Sequence, residues 1–456
     1  MPAMIDPAIF REYDIRGVTT QNFGADVVAT IARAFADKAC GTVVIARDGR
    51  LSSPALADAL AKGLQAGGCD VIDIGLVPTP ALYYAATTLK AAAGVMLTGS
   101  HNPPDHNGMK FMLHGKAFYG AQIQELRRNI QASASSMQRA AGNYSTLEMK
   151  AQYLHALLDA YDGTRELKVA WDAGNGATGE VMSALCSKLP GTHFTLFETI
   201  DGTFPNHHPD PTIPHNLADL IDVVKKEGCD LGIAFDGDGD RIGVVDDGGE
   251  ILWGDQLLMI YAADVLRAHP GATIIADVKA SGALFEEVTR LGGVPLMWKT
   301  GHSLIKSKMA ETGAPLAGEM SGHIFFADKY YGFDDALYAA VRLLGVVSKN
   351  GKKLSELRKA LPKRISTPEI RFHCDDERKF AVIDEVKARL TAAKADFSDV
   401  DGVRVNTPDG WWLLRASNTQ PMLVARCEAR NAEGLERLKQ DLQKALALSN
   451  VRIPNG

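Results

Sequence analysis

"TVVIARDGRLSSPALADALAKGLQAGGCDVIDIG", residues 42–75, reads as an apolar strand ending on Asp48, a short turn, a helix and a second strand. Pro54 suits the first helical turn, Ser53 is placed to cap it, and Gly67-Gly68 can close it. The same order returns in "LKVAWDAGNGATGEVMSALCSKL" (167–189) with the strand "HFTLFE" (193–198), and again in "ATIIADVKASGALFEEVTRLGGVPLMWKT" (272–300). Such recurrence is an internal repeat at domain scale. Alternating strands and helices predict α/β domains with largely parallel sheets, whose ligands gather at the carboxyl ends of strands.

Each copy is followed by one chemically loaded loop: "TGSHNP" (98–103), "DGDGDR" (236–241) and "GEMSGH" (318–323). Three related domains would each offer a loop to a shared cleft. From "ISTPEIRF" (365–372) onward the pattern changes. "GVRVNTPDGWWLLRASNTQPMLVARCEARN" (402–431) reads as an antiparallel meander before a final helix, "EGLERLKQDLQKALAL" (433–448). The expected architecture is three α/β domains with mixed sheets around a central cleft, 1–148, 149–252 and 253–364, and a smaller α+β domain, 365–456.

The totals bound the function. At 456 residues the chain exceeds one ordinary core, and 46% hydrophobic with 23% charged residues suits a packed fold. A net charge of −6 argues against nucleic acid as a partner, since basic stripes are what such surfaces show. No apolar run approaches bilayer-spanning length and the opening lacks a secretory signal, so the expectation is a cytoplasmic protein without a membrane partner. Six scattered cysteines with no CxxC pair read as reduced structural thiols.

In "LGIAFDGDGDRIGVV", Asp236, Asp238 and Asp240 alternate with glycines between two apolar runs. Carboxylates so spaced can converge on one hard cation. An EF-hand is ruled out because its sixth position needs Gly where Arg241 stands, and the flanks read as strands. A solvated acidic turn is the simpler alternative, but like charges 4 Å apart cost about 4 kcal/mol per pair at an effective dielectric of 20. Three carboxylates leave positions open, which suits a Mg²⁺ that also touches phosphate.

"WDAGNGATG" matches G-x-G-x-x-G through Gly174, Gly176 and Gly179, with Glu198 near the acidic position of a dinucleotide site. Alone it would predict an NAD-dependent oxidoreductase. Asp172 stands where pyrophosphate would come, and the other copies of the repeat lack the fingerprint, so a tight turn is the better reading. Glu319, Ser321 and His323 supply donors and acceptors for sugar hydroxyls, and Arg415, Ser417, Asn418 and Thr419 make a phosphate cradle. Arg16, Lys110, Lys279 and His302 sit in glycine-bearing or strand-end contexts.

Ser100, beside His101, admits two chemistries. A hydrolase would want a G-x-S-x-G elbow or a distant base, and neighbouring strand-end side chains are expected to diverge, leaving His101 and Asn102 to shape the loop. A phosphoryl carrier needs a cation, a phosphate cradle and a sugar-gripping loop, and all three have candidates. A phosphoserine beside three aspartates would require the cation and Arg241 to offset repulsion.

With "REYDIRG" (11–17), the four loops in this order make the sequence similar to the α-D-phosphohexomutase family, most closely its phosphomannomutase or dual phosphomannomutase/phosphoglucomutase branch. The resemblance spans nearly the whole chain. It implies that Ser100 is the phosphorylated serine and binds Mg²⁺ with Asp236, Asp238 and Asp240. It implies that Glu319, Ser321, His323 and Lys279 grip the sugar, and that Arg415, Ser417, Asn418 and Thr419 hold the phosphate not being transferred. Arg16, Arg241 and His302 would stabilise charge, with Lys110 as general acid/base or charge stabiliser. The implied reaction interconverts mannose 6-phosphate and mannose 1-phosphate through a hexose 1,6-bisphosphate that also serves as activator. The alternative is a phosphoglucomutase or dual enzyme. Met320 and Asn418 depart from the pattern of phosphoglucosamine mutases, favouring an unaminated hexose. A monomer or weak homodimer feeding GDP-mannose supply completes the expectation.

Overall fold

The computed structural model describes residues 5–132, 139–418 and 420–453. The opening stretch forms β1 (Val43–Arg47), α1 (Ser53–Ala66) and β2 (Val71–Leu76), then α2 (Thr79–Thr88), β3 (Ala93–Leu97) and β4 (His106–Leu113). The second copy gives β5 (Leu167–Asp172), α3 (Gly179–Cys186), β6 (Gly191–Leu196), α4 (Ala218–Glu227), β7 (Leu231–Phe235) and β8 (Ile242–Asp246). The third gives β9 (Thr273–Asp277), α5 (Gly282–Arg290), β10 (Val294–Trp298), α6 (His302–Thr312), β11 (Leu316–Gly318) and β12 (Ile324–Phe326).

Strand order is the same in all three sheets: β4-β3-β1-β2, β8-β7-β5-β6 and β12-β11-β9-β10. The first pair is antiparallel and the other two parallel in each, so the sheets are mixed. β3, β7 and β11 are buried along their whole length, as their unbroken apolar sequences require. Each then turns back as an antiparallel hairpin. The three loaded loops are the tips of these equivalent hairpins.

Ser53 corrects one expectation. The helix cap is Ser52, whose side chain makes no capping bond, and Ser53 Oγ instead donates to Asp48 Oδ1 at 2.6 Å. A buried carboxylate at the strand end is a stronger acceptor than the orphan N–H groups are donors.

The C-terminal region forms α7 (Asp376–Ala392), β13 (Val403–Thr407), β14 (Gly410–Ala416), β15 (Met422–Ala429) and α8 (Ala432–Ala447). β13, β14 and β15 are an antiparallel meander. Leu438, Leu442 and Leu446 of α8 pack with Trp412, Leu414 and Cys427 in a core separate from the rest. By contrast one apolar cluster runs through the first three domains, from Val44 and Met96 through Trp171 and Phe235 to Phe326 and Leu337. The last domain meets the third through a small patch of Val278, Trp411, Leu413 and Met297. All six cysteines are free. No helix among the described residues is long and apolar enough to cross a membrane.

Candidate active site

After β3 the chain reaches Ser100 in a left-handed conformation, φ +49°. A non-glycine residue there costs roughly 1–2 kcal/mol, so neighbouring bonds must fix it. Arg50, buried beneath the loop, does so: its guanidinium donates to the carbonyls of Ser100 (2.8 Å), Asn102 (2.6 Å), Pro103 (2.5 Å) and His106 (3.0 Å). Asp48 at the end of β1 accepts from Arg50 Nε (3.2 Å) and from the Gly99 N–H (3.1 Å). Burial pulls the Arg50 pKa down, and Asp48 opposes that shift. Gly99 has to be glycine, because a Cβ there would lie 2.4 Å from the guanidinium carbon.

The left-handed turn also corrects the reading of His101. Its Nδ1 lies 3.1 Å from Ser100 Oγ, since φ +49° folds the two side chains toward one another instead of letting them diverge. Burial holds the His101 imidazole well below its ordinary pKa, helped by Arg241, Arg16 and Lys110.

Ser100 Oγ donates to Asp236 Oδ2 at 2.8 Å, joining the first loop to the second. Asp236 Oδ1 folds its own loop by accepting the N–H groups of Gly239 (3.0 Å), Asp240 (3.1 Å) and Arg241 (3.2 Å). Ligand oxygens of Asp236, Asp238 and Asp240 lie within 4.8 Å of one another, and all three residues are fully buried. Asp238 Oδ1 and Asp240 Oδ1 find no hydrogen-bond donor among the described residues. Buried carboxylate oxygens without donors are costly unless a cation meets them, and an all-oxygen set fits Mg²⁺.

The other Asp238 oxygen accepts from Thr79 Oγ1 (2.5 Å) and Lys110 Nζ (2.7 Å), and Lys110 also bonds Asp240 Oδ2. Burial, then Asp240 and Asp238, push Asp236 well above the usual carboxylate range. Burial acts the same way on Asp238, but the Lys110 ammonium, the Thr79 hydroxyl and Arg16 together bring that carboxyl down. Lys110 is itself held above its ordinary value, its burial overcome by the two aspartates.

"GNGATG" braces this loop. The Ala177 N–H donates to the Gly237 carbonyl at 2.9 Å, Gly174 N–H to Asp172 Oδ1 at 2.8 Å, and a Cβ on Gly176 would sit 2.9 Å from the Gly237 oxygen. His207 Nε2 lies 2.9 Å from the second Asp172 oxygen. Backbone donors and close approach that a pyrophosphate would need are occupied by the metal loop.

The third hairpin tip is held in a similar way to the first. Asp277, ending β9, accepts the Met320 N–H at 3.2 Å and Thr300 Oγ1 at 3.1 Å. Glu319 Oε1 accepts the Gly301 N–H at 2.5 Å. Arg241 Nε donates to His323 Nε2 at 3.0 Å, which assigns the proton of a neutral His323 to Nδ1. That Nδ1 lies 3.1 Å from Asp334 Oδ2, and His302 Nδ1 lies 3.2 Å from the same oxygen. The two imidazoles stack at 5.4 Å and 14°. Lys306 Nζ bonds the other Asp334 oxygen at 2.8 Å.

Ser100, the three aspartates, Lys110, Arg241 and His323 thus form one connected network, with His302 joined through Asp334. Arg16 reaches the first loop through Asn102 Oδ1 at 3.3 Å and pairs with Asp14 at 2.6 Å. Lys279 Nζ stands 3.1 Å from Glu369. Arg415 Nε donates to Asp401 at 3.0 Å, Ser417 Oγ accepts the Gln420 N–H at 3.2 Å, and Asn418 Nδ2 donates to Tyr13 OH at 2.8 Å. Tyr13 in turn donates to the Thr300 carbonyl at 2.8 Å, so that one side chain ties the last domain's loop to the first and third domains. Ser321 is half-buried, and Thr419 lies outside the described residues. Sequence reasoning passed over Asp48, Arg50, Thr79, Asp334 and Tyr13. Asp48 and Asp277 carried a signal, as matching acids at the ends of matching strands.

Comparison with known proteins identifies the family. Four family descriptions match in order: phosphoglucomutase/phosphomannomutase alpha/beta/alpha domain I over 7–137, domain II over 151–249, domain III over 253–365 and the C-terminal domain over 369–445. A phosphomannomutase/phosphoglucomutase of Pseudomonas putida is 47% identical over 443 residues, 96% of this chain and 95% of the relative. A phosphoglucomutase of Neisseria meningitidis serogroup A is 43% identical over 456 residues, 98% of each chain. The crystal structure of a phosphoglucomutase/phosphomannomutase family protein from Burkholderia thailandensis superposes with TM-score 0.92 at 44% identity, covering 98% of both chains. The chain therefore belongs to the α-D-phosphohexomutase family and is a mutase of the isomerase class.

Proposed function

We propose that this mutase interconverts the 1- and 6-phosphates of both mannose and glucose, carrying the transferred phosphoryl group on Ser100. The observation that carries this reading is the 2.8 Å bond from Ser100 Oγ into a buried carboxylate cluster, two of whose oxygens have no donor among the described residues. A hydroxyl so placed is a poor hydrolytic nucleophile and a good phosphoryl acceptor beside a cation site. Bound by Asp236, Asp238, Asp240 and Ser100, Mg²⁺ would offset charge on the transferring phosphoryl group.

In the proposed cycle the Ser100 O–P bond breaks as the free hydroxyl of a hexose monophosphate bonds phosphorus, and the hydroxyl proton passes to the Ser100 oxygen as it leaves. The resulting 1,6-bisphosphate turns end for end, and its other phosphate returns to Ser100. Added hexose 1,6-bisphosphate activates by rephosphorylating the serine. Arg16, Arg241 and Lys110 offset phosphate charge, and His302 is placed through Asp334 beside His323. Lys110, an ammonium bonded to two carboxylates, offsets the charge that develops on the oxygen leaving phosphorus. Lys279, Glu319, Ser321 and His323 hold the sugar. Arg415, Ser417, Asn418 and Thr419 hold the idle phosphate.

Dual specificity follows from what these groups sense. Mannose and glucose differ at one carbon, and a site discriminates strongly only against groups its own polar atoms must bond. Relatives named phosphomannomutase/phosphoglucomutase support this breadth, and those named phosphoglucomutase support its glucose half. We also infer a cytoplasmic monomer or weak homodimer that contributes to GDP-mannose supply.

The test is a side-by-side assay of mannose 1-phosphate and glucose 1-phosphate with Mg²⁺ and glucose 1,6-bisphosphate, with Ser100→Ala as control. Turnover of both sugars, abolished in the variant, is expected. Turnover of one sugar alone would end the dual reading, and full activity of Ser100→Ala would end the carrier reading.

A further inference from the structure

The last domain grips the third at one short turn, residues 278–282, between β9 and α5. Arg404 Nη1 donates to the carbonyls of Val278 and Ala280, each at 2.7 Å. Arg426 Nη1 donates to the carbonyl between them, that of Lys279, at 2.5 Å. Glu428 Oε1 accepts the Gly282 N–H at 2.8 Å and Trp411 Nε1 at 2.9 Å. Three consecutive carbonyls and the helix-opening N–H of the third domain are therefore satisfied from the fourth.

The gripping side chains form one built surface. Arg404, Leu413 and Arg426 are in register across β13, β14 and β15, and Trp411 pairs with Glu428 in the neighbouring row. The Arg404 guanidinium stacks 3.7 Å from the Trp411 ring centroid and is buried. Its pKa falls to about 9 through that burial, with Glu428 opposing. A cation is costly to keep in such a place, and the bonds it makes all converge on the turn that carries Lys279.

We propose that Arg404 is a positioning residue for the hexose-phosphate site, setting from the fourth domain the turn on which Lys279 stands. This rests on the reading of Lys279 as a sugar-phosphate contact. The turn is continuous with the sugar loop, because Asp277 lies 3.9 Å from Lys279 Nζ and holds the Met320 N–H. Loss of the Arg404 bonds would free the carbonyls on either side of Lys279 and shift its side chain while leaving Ser100 and the carboxylate cluster as they are.

The test is a double-mutant cycle on the full-length enzyme with Arg404→Met and Lys279→Met, reading KM and kcat for glucose 1-phosphate. Arg404→Met keeps an apolar stem on Trp411 and removes both donors; should it not fold, Arg404→Gln takes its place, with folding checked by circular dichroism. Arg404→Met is expected to raise KM about tenfold in the wild-type background and less than about twofold in Lys279→Met, with kcat changed less than about threefold. An equal rise in both backgrounds, or no rise in the wild type, would overturn the inference. Unchanged KM in Lys279→Met alone would instead remove the reading of Lys279 on which it rests.

Discussion

The loop that carries Ser100 and the loop of the last domain proposed to hold the idle phosphate are built differently. The first is fixed from below: the buried Arg50 donates to four carbonyls between Ser100 and His106, and Asp48 accepts the Gly99 N–H. Among the described residues the second is held by the Arg415–Asp401 pair, the Gln420–Ser417 and Asn418–Tyr13 bonds and one carbonyl bond from Lys379 to Gln420, at a hairpin tip whose Gln420 and Pro421 are exposed. The first three domains also share a core that the fourth does not enter. The contrast matches the chemistry. A phosphoryl group must leave from one fixed oxygen, whereas a bisphosphate that turns end for end needs a holder that can release and regrip.

The contrast can be broken most forcefully at Arg50. Arg50→Leu would leave Asp48 buried without its cation and free the loop carbonyls, costing about 3–5 kcal/mol of stability in urea unfolding. In the fraction that folds, kcat is expected to fall on the order of 100-fold through misplacement of Ser100. A variant with wild-type kcat would show that the loop needs no such brace.

Next comes the pH dependence of the junction with the last domain. Burial would raise the Glu369 pKa, but Lys279 and Arg371 bring it down to about 2. Its ordinary value is 4.5, so the pair's stabilisation is fully present above that pH and is lost as pH falls toward about 2. A shift of this size is worth about 3 kcal/mol, and Glu369→Gln should remove that part of the acid dependence. Identical acid unfolding profiles for the two proteins would count against the buried pair.

A smaller effect is expected in solution scattering. Addition of glucose 1-phosphate should shift the distance distribution inward as the last domain closes, and Asn418→Ala should weaken the shift. Curves unchanged by substrate would place the holder in one fixed position. Smallest is Asn418→Ala itself, which loses one bond to Tyr13. A roughly threefold to tenfold rise in KM with little change in unfolding midpoint is the expected outcome, in keeping with a net hydrogen bond of about 1 kcal/mol. A large loss of stability would mean that this loop, too, is part of the scaffold.

Much of this architecture was legible from local pattern. Strand, acid, turn and helix recur in three copies, and the fold follows them copy by copy. The aspartates of "DGDGDR" were legible because alternating charges between apolar runs have few benign explanations. What escaped notice is non-local. Arg50 acts through carbonyls 50 to 56 residues away, and Arg404 through carbonyls more than 120 residues away. A single arginine in an amphipathic stretch gives no sign of such a reach. His101 was misjudged because strand-end geometry was extended to a residue that leaves the strand, and a positive φ at Ser100 has no signature in its side chain. Asp334, which ties His302 to His323, follows a short strand and reads in sequence as half of an ordinary "DD" helix start.

The central claim is that the fixed loop carries the phosphoryl group on Ser100. Intact-mass spectrometry after incubation with glucose 1,6-bisphosphate and Mg²⁺ tests it directly, with peptide mapping to find the site. The account predicts one added phosphoryl group on the wild-type protein, mapped to Ser100 and missing from Ser100→Ala. No gain in the wild type, or an equal gain in the variant, would contradict it.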